Sequence, residues 1–80
     1  MGGPAPLKNT IKVQRARKDW TQEELARRIG VTRKTINTIE NGIYVPSTVL
    51  ALRMARVFGV AVEEIFQLAE PFSPEGQSGA

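Results

Sequence analysis

The segment Thr21–Gly42, TQEELARRIGVTRKTINTIENG, constrains the fold of this 80-residue chain more than any other stretch. It holds two short helical patterns separated by Gly30-Val31-Thr32. Thr21-Gln22-Glu23-Glu24 reads as a capping box, with the Thr21 hydroxyl taking the Glu24 N–H and the Glu24 carboxylate reaching back to Thr21. Trp20 stands just before the cap, where it can staple onto Leu25. Leu25, Ala26 and Ile29 share the inward face, and Gly30 can end the helix with φ > 0. Val31 then enters the core and Thr32 caps the next helix. That helix, Arg33 to Glu40, buries Ile36 and Ile39 and turns Arg33, Lys34, Asn37 and Thr38 outward, with Thr35 near its first turn. Glu40 follows Ile39 beside the core, so it needs a partner.

Two capped helices on so tight a turn have the grammar of a helix-turn-helix, whose second helix is laid into a DNA major groove. The rest of the chain reads as support. Residues 1–7 form a Gly- and Pro-containing flexible leader, residues 8–68 the domain, and residues 69–80 a flexible acidic tail with Pro71, Pro74 and Gly76. A first helix is expected from Leu7 or Lys8 to Lys18, with Leu7 and Ile11 at i, i+4 on one face. Val13 is a further apolar position, and Asp19 provides a left-handed stop. Ile43-Tyr44-Val45-Pro46 reads as a loop. Ser47 caps a fourth helix, Thr48 to Phe58, that is apolar almost all round. Gly59 stops it, and a fifth helix is expected from Ala61 to Leu68.

Eighty residues without cysteine or histidine allow one small domain that lacks disulfides and any His or Cys metal site. No Gly-rich phosphate loop and no pair of acids in an expected cleft suggest an enzyme, so neither a catalytic residue nor a cofactor is assigned. No small-molecule ligand is evident. No apolar run approaches the roughly 20 residues of a membrane span, and a cytoplasmic protein without membrane contact is expected. Charge is uneven: residues 1–58 hold all 11 Lys and Arg against four acids, a local +7, and residues 59–80 hold four acids and no base. A basic head favours a polyanionic partner.

With these residues in place, the chain resembles the Cro/C1-type (XRE) helix-turn-helix family, and within it the short stand-alone transcriptional regulators of bacteria and archaea. The likeness rests on Thr-Gln-x-x-Leu-Ala, the Gly-Val-Thr turn, Thr-Ile-x-x-Ile-Glu-Asn-Gly and Phe-Gly-Val-x-x-x-x-Ile-Phe, across residues 8–68. It implies an all-α, five-helix, lambda-repressor-like domain with its helix-turn-helix at helices 2 and 3. Such a domain binds double-stranded DNA as a homodimer, here through helices 4 and 5. By the same likeness Arg33, Lys34 and Thr38 occupy base-reading positions, and Asn37 contributes beside them. Gln22, Thr32, Thr35 and Asn41 lie at or beside phosphates, and Arg15 and Glu40 form an internal ion pair. The chain departs from the family at Gln14 and Thr48, where Leu is common, at Val49, where a polar residue is common, and at Ala61, where a Ser or Thr cap is usual. The competing functions are a small protein-interaction module, or the antitoxin of a toxin–antitoxin pair, for which the tail after Leu68 looks too short to neutralise a toxin.

Overall fold

The structure, a computed structural model, describes residues 6–69. The expected tail beyond Ala69, and the leader before Pro6, lie outside the described residues. Five helices and one two-stranded sheet follow in the order β1 (Leu7–Asn9), α1 (Ile11–Lys18), α2 (Gln22–Ile29), α3 (Arg33–Glu40), α4 (Thr48–Phe58), α5 (Val62–Ile65) and β2 (Phe66–Leu68). The all-α expectation holds for the helices and missed the sheet. β1 and β2 are antiparallel with Leu7 opposite Leu68 and Asn9 opposite Phe66. They bring the two ends of the domain together.

Two sequence expectations are corrected by this sheet. The first helix does not begin at Leu7, so Leu7 and Ile11 do not share a helical face. Asn9 prevents it: its side-chain carbonyl accepts the Ile11 N–H at 3.1 Å, a local bond that competes with backward extension of the helix. Nor does the fifth helix run to Leu68. It makes one turn under Ala61, which supplies no side-chain cap, and Phe66 is extended at φ −123°, ψ 131°. A single turn, capped only by the Glu64 carboxylate on the Ala61 N–H at 3.4 Å, is a weak nucleus, whereas Phe66–Leu68 gains a paired strand. Thr10 locks the junction, its N–H on the Ile65 carbonyl at 2.8 Å and its hydroxyl on that of Glu64 at 2.6 Å.

The punctuation of the other helices acts locally. Thr21, Thr32 and Ser47 accept the amides of Glu24, Thr35 and Leu50. Asp19, Gly30 and Gly59 sit in the left-handed region that stops α1, α2 and α4. Only half of the capping box forms. The Glu24 carboxylate turns away from Thr21 to pair with Arg27 and with Arg28, which outcompete a neutral backbone amide.

The core is one cluster of Ile11, Leu25, Ala26, Ile29, Ile36, Ile39, Leu50, Met54, Phe58 and Ile65, with Val31 and Trp20 packed against it. Trp20 stacks on Phe58 with ring centroids 5.5 Å apart. The Arg28 guanidinium carbon lies 4.2 Å from the centre of the indole, so α2, α4 and the turn before α2 are fastened at one aromatic point. Val13 is exposed, and Gln14 beside it is buried, its amide donating to the Thr10 hydroxyl at 3.3 Å. That flank is closed by a polar side chain where relatives commonly have Leu. In α4, Leu50 belongs to the core, while Val49 and Leu52 remain exposed.

Candidate nucleic-acid interface

α3 is presented by what lies on either side of it. Gly30, at φ 80°, and Val31 both donate to the Ala26 carbonyl, at 2.9 Å each, which makes the turn abrupt. Arg53 reaches from α4 to the Ile29 carbonyl at 3.2 Å and satisfies the end of α2. Ile36 and Ile39 hold the inner side of α3 in the core. By helical geometry, residues 33, 34, 37, 38 and 41 then form the opposite stripe. Arg33, Lys34 and Asn41 are exposed, and Asn37 and Thr38 are half-buried.

The charged groups of this stripe are open to a ligand. Neither Arg33 nor Lys34 forms an ion pair among the described residues, in contrast to Arg27 and Arg28 on α2. The threonines are partly committed. Thr32 and Thr35 share a hydroxyl–hydroxyl bond at 3.1 Å, and Thr38 donates to the Thr35 carbonyl at 2.9 Å. Thr38 therefore keeps its methyl and hydroxyl lone pairs for an incoming group, but not its proton. Beside these residues a shallow depression runs between α3 and the following loop, lined by Thr32, Lys34, Thr35, Thr38, Ile43 and Tyr44.

The base of α3 is braced. The Arg15 guanidinium grips Glu40 with Nε on Oε2 at 2.6 Å and Nη2 on Oε1 at 3.2 Å, and its Nη1 donates to the Trp20 carbonyl at 3.0 Å. The Glu40 side chain is only 3% exposed. Gln22 adds its amide nitrogen to Oε1 of Glu40 at 3.0 Å. Its carbonyl accepts from Asn37 at 3.4 Å, and the Asn37 carbonyl accepts from Asn41 at 3.2 Å. Gln22 and Asn41, which the family resemblance implies lie at or beside phosphates, and Asn37, expected to contribute to base reading, are thus one hydrogen-bonded chain ending on the buried carboxylate.

Two positioning residues escaped the sequence reading. Asn9 donates its amide to the carbonyls of Ile39 and Glu40, at 3.1 and 3.3 Å, while its own carbonyl holds the start of α1. One side chain thus caps the end of α3 and the start of α1. Its signal was its type, since asparagine is a poor helix former and a good local hydrogen-bonder, although it lay inside the expected helix. Arg53 carried no local signal, because its partner belongs to another helix.

Similarity to known proteins follows the same outline. A family model described as helix-turn-helix matches residues 11–65. An uncharacterized HTH-type transcriptional regulator of Bacillus subtilis, YgzD, is 45% identical over 64 residues, covering 80% of this chain and 97% of that protein. Another, MJ0272 of Methanocaldococcus jannaschii, is 50% identical over 60 residues, covering 75% of this chain and 91% of its own length. The crystal structure of a candidate DNA-binding protein from Bacteroides fragilis superposes with a TM-score of 0.69 at 26% identity, over 76% of this chain and 98% of that one. The chain belongs to the Cro/C1-type (XRE) helix-turn-helix family of DNA-binding transcriptional regulators.

Proposed function

We propose that the chain is a sequence-specific regulator of transcription, a repressor, that reads the major groove of double-stranded DNA with α3 as a homodimer in the cytoplasm. The carrying observation is the outward stripe of α3: two cations without ion-pair partners, Arg33 and Lys34, continued by Asn37, Thr38 and Asn41, with its one acid turned inward. A solvated helix face normally mixes both signs of charge. A face of bases and uncharged hydrogen-bonding groups suits base edges between phosphates, since Arg and Lys match guanine O6 and N7 and a threonine methyl meets thymine. Thr32 and Thr35 at the start of α3, together with Gln22, stand where phosphates would flank it.

Selection of bound duplexes from a random pool tests this reading directly, and an enriched palindrome is the expected result. Arg33→Ala is then expected to lose about 1–3 kcal/mol at one base pair and its two-fold mate. A loss equal across all sequences would reassign Arg33 to the phosphate backbone. Affinity is expected to fall steeply with salt as counterions are released, and a nearly flat response would favour an acidic protein as the partner.

The homodimer is supported by apolar surface on the side of α4 and α5. Val49, Leu52 and Leu68 are exposed, and Leu7, Pro46, Ala51, Leu52, Val62 and Phe66 line a depression there. Pairing through this side would set two α3 helices about 34 Å apart, one turn of DNA. Sedimentation at micromolar concentration is expected to give twice the chain mass. A monomer that binds a single half-site would overturn the dimer.

A further inference from the structure

We propose that the β1–β2 sheet holds the end of the DNA-reading helix through Asn9. Asn9 is then a positioning residue for α3, and the strand Phe66–Leu68, which carries no reading residue, sets how well α3 fits the groove. The inference rests on the DNA-reading role of α3 proposed above.

The last carbonyls of a helix have no partners within it, and those of α3 are met from two sides. The following loop supplies backbone donors: Ile43 and Tyr44 reach the Thr38 carbonyl at 2.9 and 3.3 Å, and Gly42 reaches that of Ile39 at 3.0 Å. The Glu40 carbonyl meets no donor besides Asn9 among the described residues, and the Ile39 carbonyl takes a second bond from the same amide. Because the Asn9 carbonyl also holds the Ile11 N–H, this side chain ties the end of α3 to the start of α1.

Asn9 is in turn held by β2. Among the described residues, Leu7–Asn9 has no strand partner besides Phe66–Leu68. The ladder is closed at both ends, by the Ala69 N–H on the Pro6 carbonyl at 2.9 Å and the Thr10 N–H on that of Ile65 at 2.8 Å. Leu7, Asn9 and Phe66 also line a small pocket with Tyr44, Val45 and Pro46, so the sheet backs the loop that leaves α3.

The two ends of α3 are therefore fixed differently. Its start is set locally, by the Thr32 cap and the turn at Gly30. Its end is set by a side chain that the far end of the domain holds in place. A reading side chain has to be kept within about 0.5 Å and 10–20° of its working position. Slack at the end of α3 moves Asn37, Thr38 and Asn41 more than Arg33 and Lys34.

Asn9→Asp keeps an oxygen for the Ile11 N–H and turns a second oxygen, in place of NH₂, toward the two carbonyls. Gln67→Pro removes a ladder donor opposite Lys8, a hydrogen-bonded pair by its alternation with Thr10–Ile65 and Pro6–Ala69. Phe66 is already extended, as the residue before a proline must be. Gln67→Ala is the control, since it keeps the ladder and loses only the side-chain bond to the Glu63 carbonyl. These variants and the Asn9→Asp/Gln67→Pro double variant are compared with the parent by binding-site selection and by affinity for the selected site, at a temperature where circular dichroism shows full helix content.

Asn9→Asp and Gln67→Pro are each expected to weaken binding about tenfold, and Gln67→Ala to match the parent. The double variant should bind no worse than the worse single one, because the two residues act in series. Base preference is expected to relax at the steps relaxed in Asn37→Ala or Thr38→Ala and to persist at the step lost in Arg33→Ala. Parent-like binding by folded Asn9→Asp, or an equal loss at every step, would overturn the inference. Additive losses in the double variant, as a role of β2 in pairing two copies would give, would do the same. Loss of the helices in Gln67→Pro would make the sheet a condition of folding rather than of fit, and would also sink it. A parent chain that enriches no sequence would defeat the proposed function first, and this inference with it.

Discussion

Glu40→Ala is expected to lower the stability of the domain by about 3–5 kcal/mol, the usual cost of stranding one member of a buried ion pair. The carboxylate takes two bonds from Arg15 and one from Gln22 while almost wholly shielded from water. Alanine leaves the guanidinium, itself 15% exposed, with the Trp20 carbonyl as its remaining partner. In a domain this small, each kcal/mol moves the melting temperature by roughly 4–8 °C, so a fall of more than about 12 °C in a thermal melt is expected. Replacing both partners, Arg15→Met with Glu40→Leu, is expected to recover much of that loss, because no buried charge is then left alone. Unchanged melting of Glu40→Ala would show that the pair is ornamental.

Phe58→Ala is the second large effect, at about 3–5 kcal/mol for an aromatic removed from a closed core. Phe58 joins the one core cluster from the last turn of α4 and stacks on Trp20. Its loss opens a cavity and withdraws a packing partner from the indole. Trp20 is the only tryptophan in the chain, so its fluorescence reports the site directly. A red-shifted emission in the folded variant is expected, followed by unfolding at lower denaturant concentration with an unchanged slope. A variant within about 1 kcal/mol of the parent would mean that the surrounding side chains collapse into the space. The two effects are linked in space, because the Trp20 carbonyl accepts from Arg15 while its ring meets Phe58.

Most of what surrounds α3 was legible because its causes are local. Thr21, Thr32 and Ser47 cap the helices they precede, and Asp19, Gly30 and Gly59 stop the helices they follow, all through bonds within a turn of their own position. The inward sets Leu25, Ala26, Ile29 and Ile36, Ile39 follow from the helical period alone. The outward stripe of Arg33, Lys34, Asn37 and Thr38 is their geometric complement. The resemblance to the Cro/C1-type family added the partner of Glu40, which the residues by themselves had only required to exist.

Tertiary structure decided whatever needed two distant segments to meet. A three-residue strand is too short for an alternation to show, so β1 and β2 become strands only because each finds the other across the whole domain. Asn9 could be placed at the end of α3 only once that pairing had set it there. Gln22 and Asn41 were expected at phosphates and Asn37 at bases, because a sequence gives the type of an amide and not the partner it meets. Their shared series ends on the Glu40 carboxylate, and a hydrogen-bond series of this kind exists only when the fold has closed around it. The sequence by itself determined the two capped helices and the turn between them; the packing around them determined how the second is braced.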